Sequence, residues 1–514
     1  MRLFLFLVGG TGSRVLKPLI MQFAAGVRPI GEDGQPMKDL EVVPIIMDPH
    51  KANEDLKRTD DLLRWYKDIR MSIYGDVSSD KIERGFFATK ISTLSDLNRD
   101  TVLNDTFVFN LESIASKEFR DFISYNTLDS ANQALCSMLF SDEQLKTKMD
   151  IGFVGSPNIG SVALNQFKDS EEFKQFANVL SADDRVFIVS SIFGGTGAAG
   201  YPIIVKNIRN AVNNATIANK GTLVDAKIGA LTVLPYFNIE QDKNSQITIA
   251  DFISKTKSAL DYYRVNLTGS KDGMLGSSVN VCYYLGDEVV SNPYKNDPGQ
   301  NGQRNDAHFV EYVGATAILD FLSMSDDKLR TDNGRVRNAA FKEYGLRNDK
   351  MALSLMDFGE RTRIVMNRQM IKFHLAFMYL TYAFGEDIGK MAYTDDTPKI
   401  QRSFLTTSGY TSLAGSFFGA YRQWLQEMAM NKRQFAPFNL YTRELFDCLT
   451  DIAPVTGFLK SKISYKTMQE ALNTESKTAN QQARYSNANV MFRLMDLLDR
   501  ATEKIIDKKY NSIV

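Results

Sequence analysis

An α/β fold built on a parallel sheet is what this 514-residue chain predicts, and three observations predict it. Apolar β-rich runs alternate with stretches of helical spacing through the first half, the order that a Rossmann-like parallel sheet with crossover helices produces. The first four of those runs each meet a turn carrying Gly, Pro or Asp at or just beyond the carboxyl end, where open α/β sheets hold their ligands. Two of the turns are glycine loops, Gly9-Gly10-Thr11-Gly12-Ser13 and Gly194-Gly195-Thr196-Gly197, each running into a helical stretch.

Taken in order, residues 3–8 (LFLFLV) are the first strand. That apolar run is too short for a secretory leader, and glycines follow it without a cleavage-like site, so a buried strand explains it better. Helical spacing over 14–23 follows the first glycine loop, and residues 42–47 make a second strand ending at Met47-Asp48. Residues 53–149 read as a helical insertion, with Leu56, Leu62, Leu63, Tyr66 and Ile69 on one face and a further helix over 134–140. Strands over 186–190, 228–234 and 279–285 complete the sheet, and a helix over 201–212 follows the second glycine loop. Residues 291–304 form a polar Pro/Gly/Asn loop with no core-forming residue. A strongly apolar central helix spans 305–323, and residues 324–514 form a mostly helical C-terminal domain with helices over 361–384, 416–430 and 487–509. The polar stretch 473–489 fits either an exposed helix or a loop. The sheet domain is thus expected over 1–304.

Composition removes several functions. Lys plus Arg and Asp plus Glu balance at 61 each, which excludes the basic footprint of a nucleic-acid-coating protein. The three cysteines, Cys136, Cys282 and Cys448, form no CxxC, so a disulfide scaffold and a zinc ribbon are not expected and a reducing cytoplasm is. With only His50, His308 and His374, a His-based triad or multi-His metal site is not expected either. The apolar run 373–384 is too short to span a bilayer, and its aromatics read as core or partner interface. No membrane span is predicted.

Glycines let a backbone approach a phosphate, and the N–H groups of a helix N-terminus bind anions. Neither loop is a P-loop, since no GK[ST] follows, and Val15 breaks GxGxxG. Two such loops on one sheet suggest a ligand with several phosphates held from two sides. Phe193 to Gly200 (FGGTGAAG) resembles the GGGTGSG loop of the tubulin/FtsZ superfamily, with Phe193 where a further glycine usually stands. Gly155-Ser156-Pro157-Asn158-Ile159-Gly160 resembles that family's GANPEIG loop, and Leu234-Pro235-Tyr236-Phe237 its KPF segment. Asn305-Asp306, with Gly314 nine residues after Asn305, is similar to the ND…G pattern of the FtsZ central helix. The chain looks most like divergent bacterial tubulin-like proteins that carry a GGTGSR first loop.

The resemblance implies a filament-forming GTPase. Its nucleotide would be bound by Gly9, Gly10, Thr11, Gly12, Ser13, Arg14, Gly155, Ser156, Pro157, Asn158, Gly194, Gly195, Thr196 and Gly197, the phosphates between Gly10 and Ser13, Gly155 and Asn158, and Gly194 and Gly197, with Asp48 toward Mg²⁺. Ribose would face Pro235 and Glu240, and the base would face Asn305 and Asp306. It also implies a cytoskeletal role, GTP or GDP as ligand, self-association head to tail, and protein partners through the C-terminal region. Its catalytic acid comes from a GxxNxDxxD loop after the central helix; the nearest match is Gly345 to Asp349, which makes Asp349 the candidate. Ser13 or Arg14 stands where the family carries a base-reading Asn, which leaves ATP open beside GTP. Asp48 could instead serve an Asx turn before Pro49, and Asp306 a helix cap. Two alternatives stay open: a non-hydrolysing nucleotide-dependent scaffold or switch of the same fold, and a ThiF-like adenylating enzyme, whose GxGGxGS loop resembles Gly9 to Ser13.

Overall fold

The computed structural model describes residues 1–49, 53–98, 103–109, 111, 114, 117–149, 153, 155–214, 216–237, 249–267, 277–287, 304–346, 349–452 and 463–510. Among them, seven strands form one parallel sheet: β1 (Arg2–Val8), β2 (Glu41–Met47), β3 (Lys90–Ile91), β4 (Arg185–Ser191), β5 (Lys227–Val233), β6 (Val281–Leu285) and β9 (Ala340–Glu343). Between the last two, β7 (Thr331–Asp332) and β8 (Arg335–Val336) make a short antiparallel hairpin. The order across the sheet is β3-β2-β1-β4-β5-β6-β9. Its direction of growth reverses between β1 and β4, because β2 and β3 extend one way and β5, β6 and β9 the other.

The expected α/β class, parallel sheet and helical C-terminal region are all present. β1 and β4 are buried along nearly their whole length, with apolar runs at residues 3–8 and 186–189, because both faces are covered. On one face Phe4 and Phe6 meet Phe176 and Phe167, at ring separations of 5.0 and 5.6 Å. On the other, Phe187 meets Phe321 of the central helix at 5.3 Å. The helices Gly9–Ala24 and Gly195–Arg209 begin immediately at their glycines rather than after them.

Other boundaries moved. The central helix runs Phe309–Leu322, so Asn305-Asp306 precede it instead of opening it. His308 is its N-cap: Nδ1 accepts the Val310 N–H at 3.1 Å, while the Glu311 carboxylate accepts the His308 N–H at 3.2 Å. The region 53–149 is not wholly helical, since β3 joins the sheet beside β2. β9 lies inside the stretch 324–514 yet pairs with β6, so the sheet does not end at the central helix. The helix Tyr465–Gln481 takes the first half of the ambiguous stretch 473–489, and turns take the second. His50 and most of the polar loop 291–304 lie outside the described residues. Among those described, no helix is long and apolar enough to cross a membrane.

The C-terminal helices Glu360–Tyr382 and Val490–Lys509 are joined by a buried ion cluster. Lys372 Nζ lies 2.6 Å from both Asp499 Oδ1 and Glu503 Oε2, and Arg84, in the loop before β3, reaches the same two carboxylates at 2.5 and 3.0 Å. Burial raises the Glu503 carboxyl, but Lys372 and Arg368 outweigh it and hold it below its ordinary value. Removing Lys372 takes from Asp499 its fully buried cation and leaves the more exposed Arg84 beside it. Lys372→Ala is therefore expected to lower the unfolding free energy by about 3 kcal/mol, the lower end for a broken buried pair, in urea titrations; a loss under about 1 kcal/mol, the size of an exposed pair, would remove this cluster as a tie between the helices.

Candidate functional site

The reversal between β1 and β4 opens a crevice at the carboxyl ends of the strands, the usual ligand position in such sheets. Both glycine loops flank it, because one leaves β1 and the other leaves β4. They touch: a Cβ added at Gly9, whose φ is +72°, would sit 3.4 Å from Thr196 Cβ and 3.6 Å from Gly197 N. The third expected loop meets the second backbone to backbone. A Cβ at Gly195 would lie 3.0 Å from Ser156 N and 3.1 Å from Gly155 N. Gly12 and Gly197 press their helices onto the strand ends, since a Cβ there would fall 2.7 Å from the Leu7 carbonyl carbon and 2.5 Å from the Ser191 oxygen.

Three helices therefore start at one place, at Gly9, Pro157 and Gly195, and none has a side-chain cap or an acidic residue in its first turn. Elsewhere Asn53, Asp129, Ser170 and Asn489 cap the helices they precede. Uncapped first-turn N–H groups with their partial positive charge are a ready anion site. The open lip is formed by the half-buried Gly10, Gly155, Ser156, Pro157, Gly194 and Thr196. Gly9, Thr11, Gly12, Ser13, Gly195 and Gly197 are buried beneath it, and the Ser13 hydroxyl has no partner among the described residues. Asn158 is exposed. A cavity of 570 Å³ beside β2, lined in part by Ile45, Phe107 and Glu171, includes none of the glycine loops.

Asp48, at the end of β2, is buried and accepts from Asn53 Nδ2 at 3.4 Å. The same amide nitrogen lies 3.5 Å from the position of a Cβ on Gly10, so the Asp48 loop adjoins the first glycine loop. Among the described residues no three His, Cys, Asp or Glu side chains cluster to hold a metal. One carboxylate beside uncapped helix N-termini would fit Mg²⁺, whose other ligands would be water and the oxygens of a bound anion.

Arg14 departs from expectation. Its Nε lies 2.7 Å from Glu311 Oε1, it bonds the Tyr236 hydroxyl, and its guanidinium stands 5.7 Å over the Phe237 ring. Tyr236 in turn donates to Glu311 at 2.9 Å. Arg14 thus ties the first helix to the central helix and to the loop after Pro235 rather than facing the lip. Asn305 is also engaged, its Nδ2 donating to Asp55 Oδ2 at 2.8 Å. Asp306 is exposed and makes no hydrogen bond or ion pair among the described residues. Glu240 lies outside the described residues.

Asp349 is exposed and sits at the same end of the sheet as the glycine loops. Arg433 places it there, donating to the Lys350 carbonyl at 3.0 Å and pairing with Asp287 just past β6. The loop that directly follows the central helix carries Asp326 and Asp327 instead. Asp326 pairs with Arg185 at 3.0 Å and Lys227 at 2.7 Å, residues that open β4 and β5, so this loop lies at the amino end of the sheet. Asp327 is exposed. Sequence reading passed over both, although their place straight after Leu322 was the available signal. Asn53 and the Tyr236–Glu311 bond were missed as well, having no spacing to announce them.

No protein-family model matches the chain, and no curated protein does. Among solved structures the fold is similar to CetZ from Methanosaeta thermophila strain DSM 6194, with a TM-score of 0.30 and 12% identity over 63% of this chain and 55% of that one. It is also similar to an empty FtsZ dimer from M. jannaschii, with a TM-score of 0.27 and 12% identity over 64% and 56% of the two chains. The chain spans little more than half the length of these structures. At that overlap, function has to be read from the site itself.

His308 supplies a test of this packing. Burial first, then Arg14 and Arg433, push its imidazole down to about 3. The unfolded chain takes up the proton near its ordinary value of 6.5 while the folded chain does not, so stability falls as pH drops from 6.5 toward 3. His308→Asn, which retains a capping acceptor, is expected to reduce that slope by about 1.4 kcal/mol per pH unit in urea titrations between pH 6 and 4. An unchanged slope would mean that His308 is protonated in the folded protein.

Proposed function

We propose that this chain binds a purine nucleoside triphosphate, guanine in preference to adenine, and hydrolyses it where copies stack head to tail. The observation that carries the reading is the convergence of three uncapped helix N-termini, at Gly9, Pro157 and Gly195, around one open lip. A chain of phosphates matches that geometry, each helix end facing a different phosphate oxygen. Asp48 stands where Mg²⁺ would be held, and the ion would neutralise charge on the phosphates. Asp306 offers only acceptors, which suits the adjacent N–H donors of guanine. The ThiF-like alternative leaves the contact of Gly195 with Gly155 and Ser156 without a role.

Phosphoryl transfer to water needs chiefly positioning and charge neutralisation. Head-to-tail stacking presents the amino end of one sheet to the carboxyl end of the next, and such a heterologous contact grows into filaments when it does not close. The acid facing the neighbour's phosphates would then come from the loop after the central helix. Asp326 is held in ion pairs there and Asp327 is exposed, so Asp327 takes this role in place of Asp349. The cytoplasm, a cytoskeletal task and further partners through the C-terminal helices follow as parts of the same proposal. A non-hydrolysing scaffold is the second reading, favoured because Asp349, on the same end of its own sheet as the glycine loops, would not face the phosphates of a stacked neighbour.

Calorimetry with GTP, ATP and inorganic tripolyphosphate, together with phosphate release measured against protein concentration, tests the proposal. Turnover per chain is expected to rise with concentration. Asp327→Ala should keep GTP binding and lose about 100-fold or more in turnover, the usual range for a positioned acid or base, whereas Asp349→Ala should leave turnover unchanged. Gly195→Ala, whose methyl meets the backbone at Gly155 and Ser156, should weaken GTP and tripolyphosphate alike. Failure of the wild-type chain to bind any of the three ligands would sink the reading, and binding without turnover would favour the scaffold.

A further inference from the structure

We infer that Glu427 and Asn431, in the C-terminal region, are positioning residues that hold Asp306 toward the nucleotide base, so that this region completes the site. The inference rests on the nucleotide reading above. Glu427 lies on the helix Phe418–Met430 and Asn431 caps its end. Both backbone groups of Ala307 are taken by these two side chains: its N–H donates to Glu427 Oε2 at 3.0 Å, and its carbonyl accepts from Asn431 Nδ2 at 2.6 Å. On the other side of Asp306, the Asn305 N–H donates to Asp55 at 3.2 Å and the Asn305 carbonyl accepts from Arg58 at 3.5 Å. Arg58 closes the ring by pairing with Glu427 Oε1 at 2.5 Å, and Gln423 donates to that same oxygen at 3.0 Å.

A carboxylate that is only 6% exposed is costly unless every oxygen is matched, and Glu427 is matched by a guanidinium, a side-chain amide and a backbone N–H. The outcome is a short segment, residues 305–308, anchored on both sides of one residue whose own carboxylate is left exposed. Such anchoring fixes an acceptor before the ligand arrives, so little ordering remains to be done on binding. The same helix that supplies Arg58 and Asp55 begins at Asn53, which bonds Asp48, so the clamp is continuous with the metal side of the site.

The test uses the full chain and three probes: GDP, IDP, which lacks the 2-amino donor, and inorganic tripolyphosphate, which has no base. Wild type is expected to prefer GDP over IDP by about 10-fold or more, the worth of a hydrogen bond to a charged acceptor. Glu427→Gln, which keeps the shape of the side chain, and Asn431→Ala should each cut that preference severalfold while tripolyphosphate affinity stays put. In an Asp306→Ala background neither should have any further effect on the ratio, because coupled residues are non-additive. A GDP/IDP ratio that survives both substitutions overturns the inference, as does tripolyphosphate binding that weakens in step with GDP. Equal wild-type affinity for GDP and IDP also overturns it while leaving the phosphate site standing, whereas absent tripolyphosphate binding would strike the nucleotide reading itself.

Discussion

The approach of the second glycine loop to its two neighbours governs the arrangement of everything at the carboxyl end of the sheet. Gly195 lies so close to the backbone nitrogens of Gly155 and Ser156 that a Cβ would crowd them at 3.0–3.1 Å, and Gly9, in van der Waals reach of Thr196, has the positive φ of +72° that favours glycine. Those contacts bring three helix N-termini within reach of one ligand, which the reversal of strand order between β1 and β4 alone would not do. A helix start left without a cap carries unsatisfied N–H groups, and burying several of them together is tolerable where an anion can answer them. Structure and proposed chemistry therefore have a common cause in the glycines.

A second constraint is charge that is buried and paired. Arg14 with Glu311, Arg58 with Glu427, and Lys372 with Asp499 each join segments far apart in the chain. They fix the first helix to the central helix, the helix Glu54–Tyr74 to the C-terminal region, and the two long C-terminal helices to each other. Pairs of this kind define relative placement more than they add stability, since desolvation consumes much of their attraction. The C-terminal region is accordingly bonded into the surroundings of the site rather than set apart from it.

Much of the sheet was legible in the sequence because β1, β2, β4 and β5 are covered on both faces and so read as unbroken apolar runs. The edges were not: β3 has two residues, and β9 (AFKE) is half-exposed with a lysine and a glutamate in it. Glycines read as loop, yet the helices begin at Gly9 and Gly195, since the close packing of Gly12 on Leu7 and of Gly197 on Ser191 within those helices' first turns outweighs poor helix propensity. The glycine loops were visible as motifs, whereas Arg14, given to the ligand by the resemblance of the first loop, bonds Glu311 and Tyr236. Likewise the ND…G pattern put Asn305 on the base side next to Asp306, and only its bond to Asp55, far away in the chain, shows that Asn305 is engaged elsewhere. Partners so distant in sequence leave no local pattern.

The central claim, that the three loops form a single phosphate site, is tested most directly by amide hydrogen exchange with and without GTP and Mg²⁺. Exchange should slow together in residues 10–13, 156–160 and 195–198, with the same dependence on nucleotide concentration. Protection confined to one loop, or absent from all three while nucleotide is bound, would contradict it.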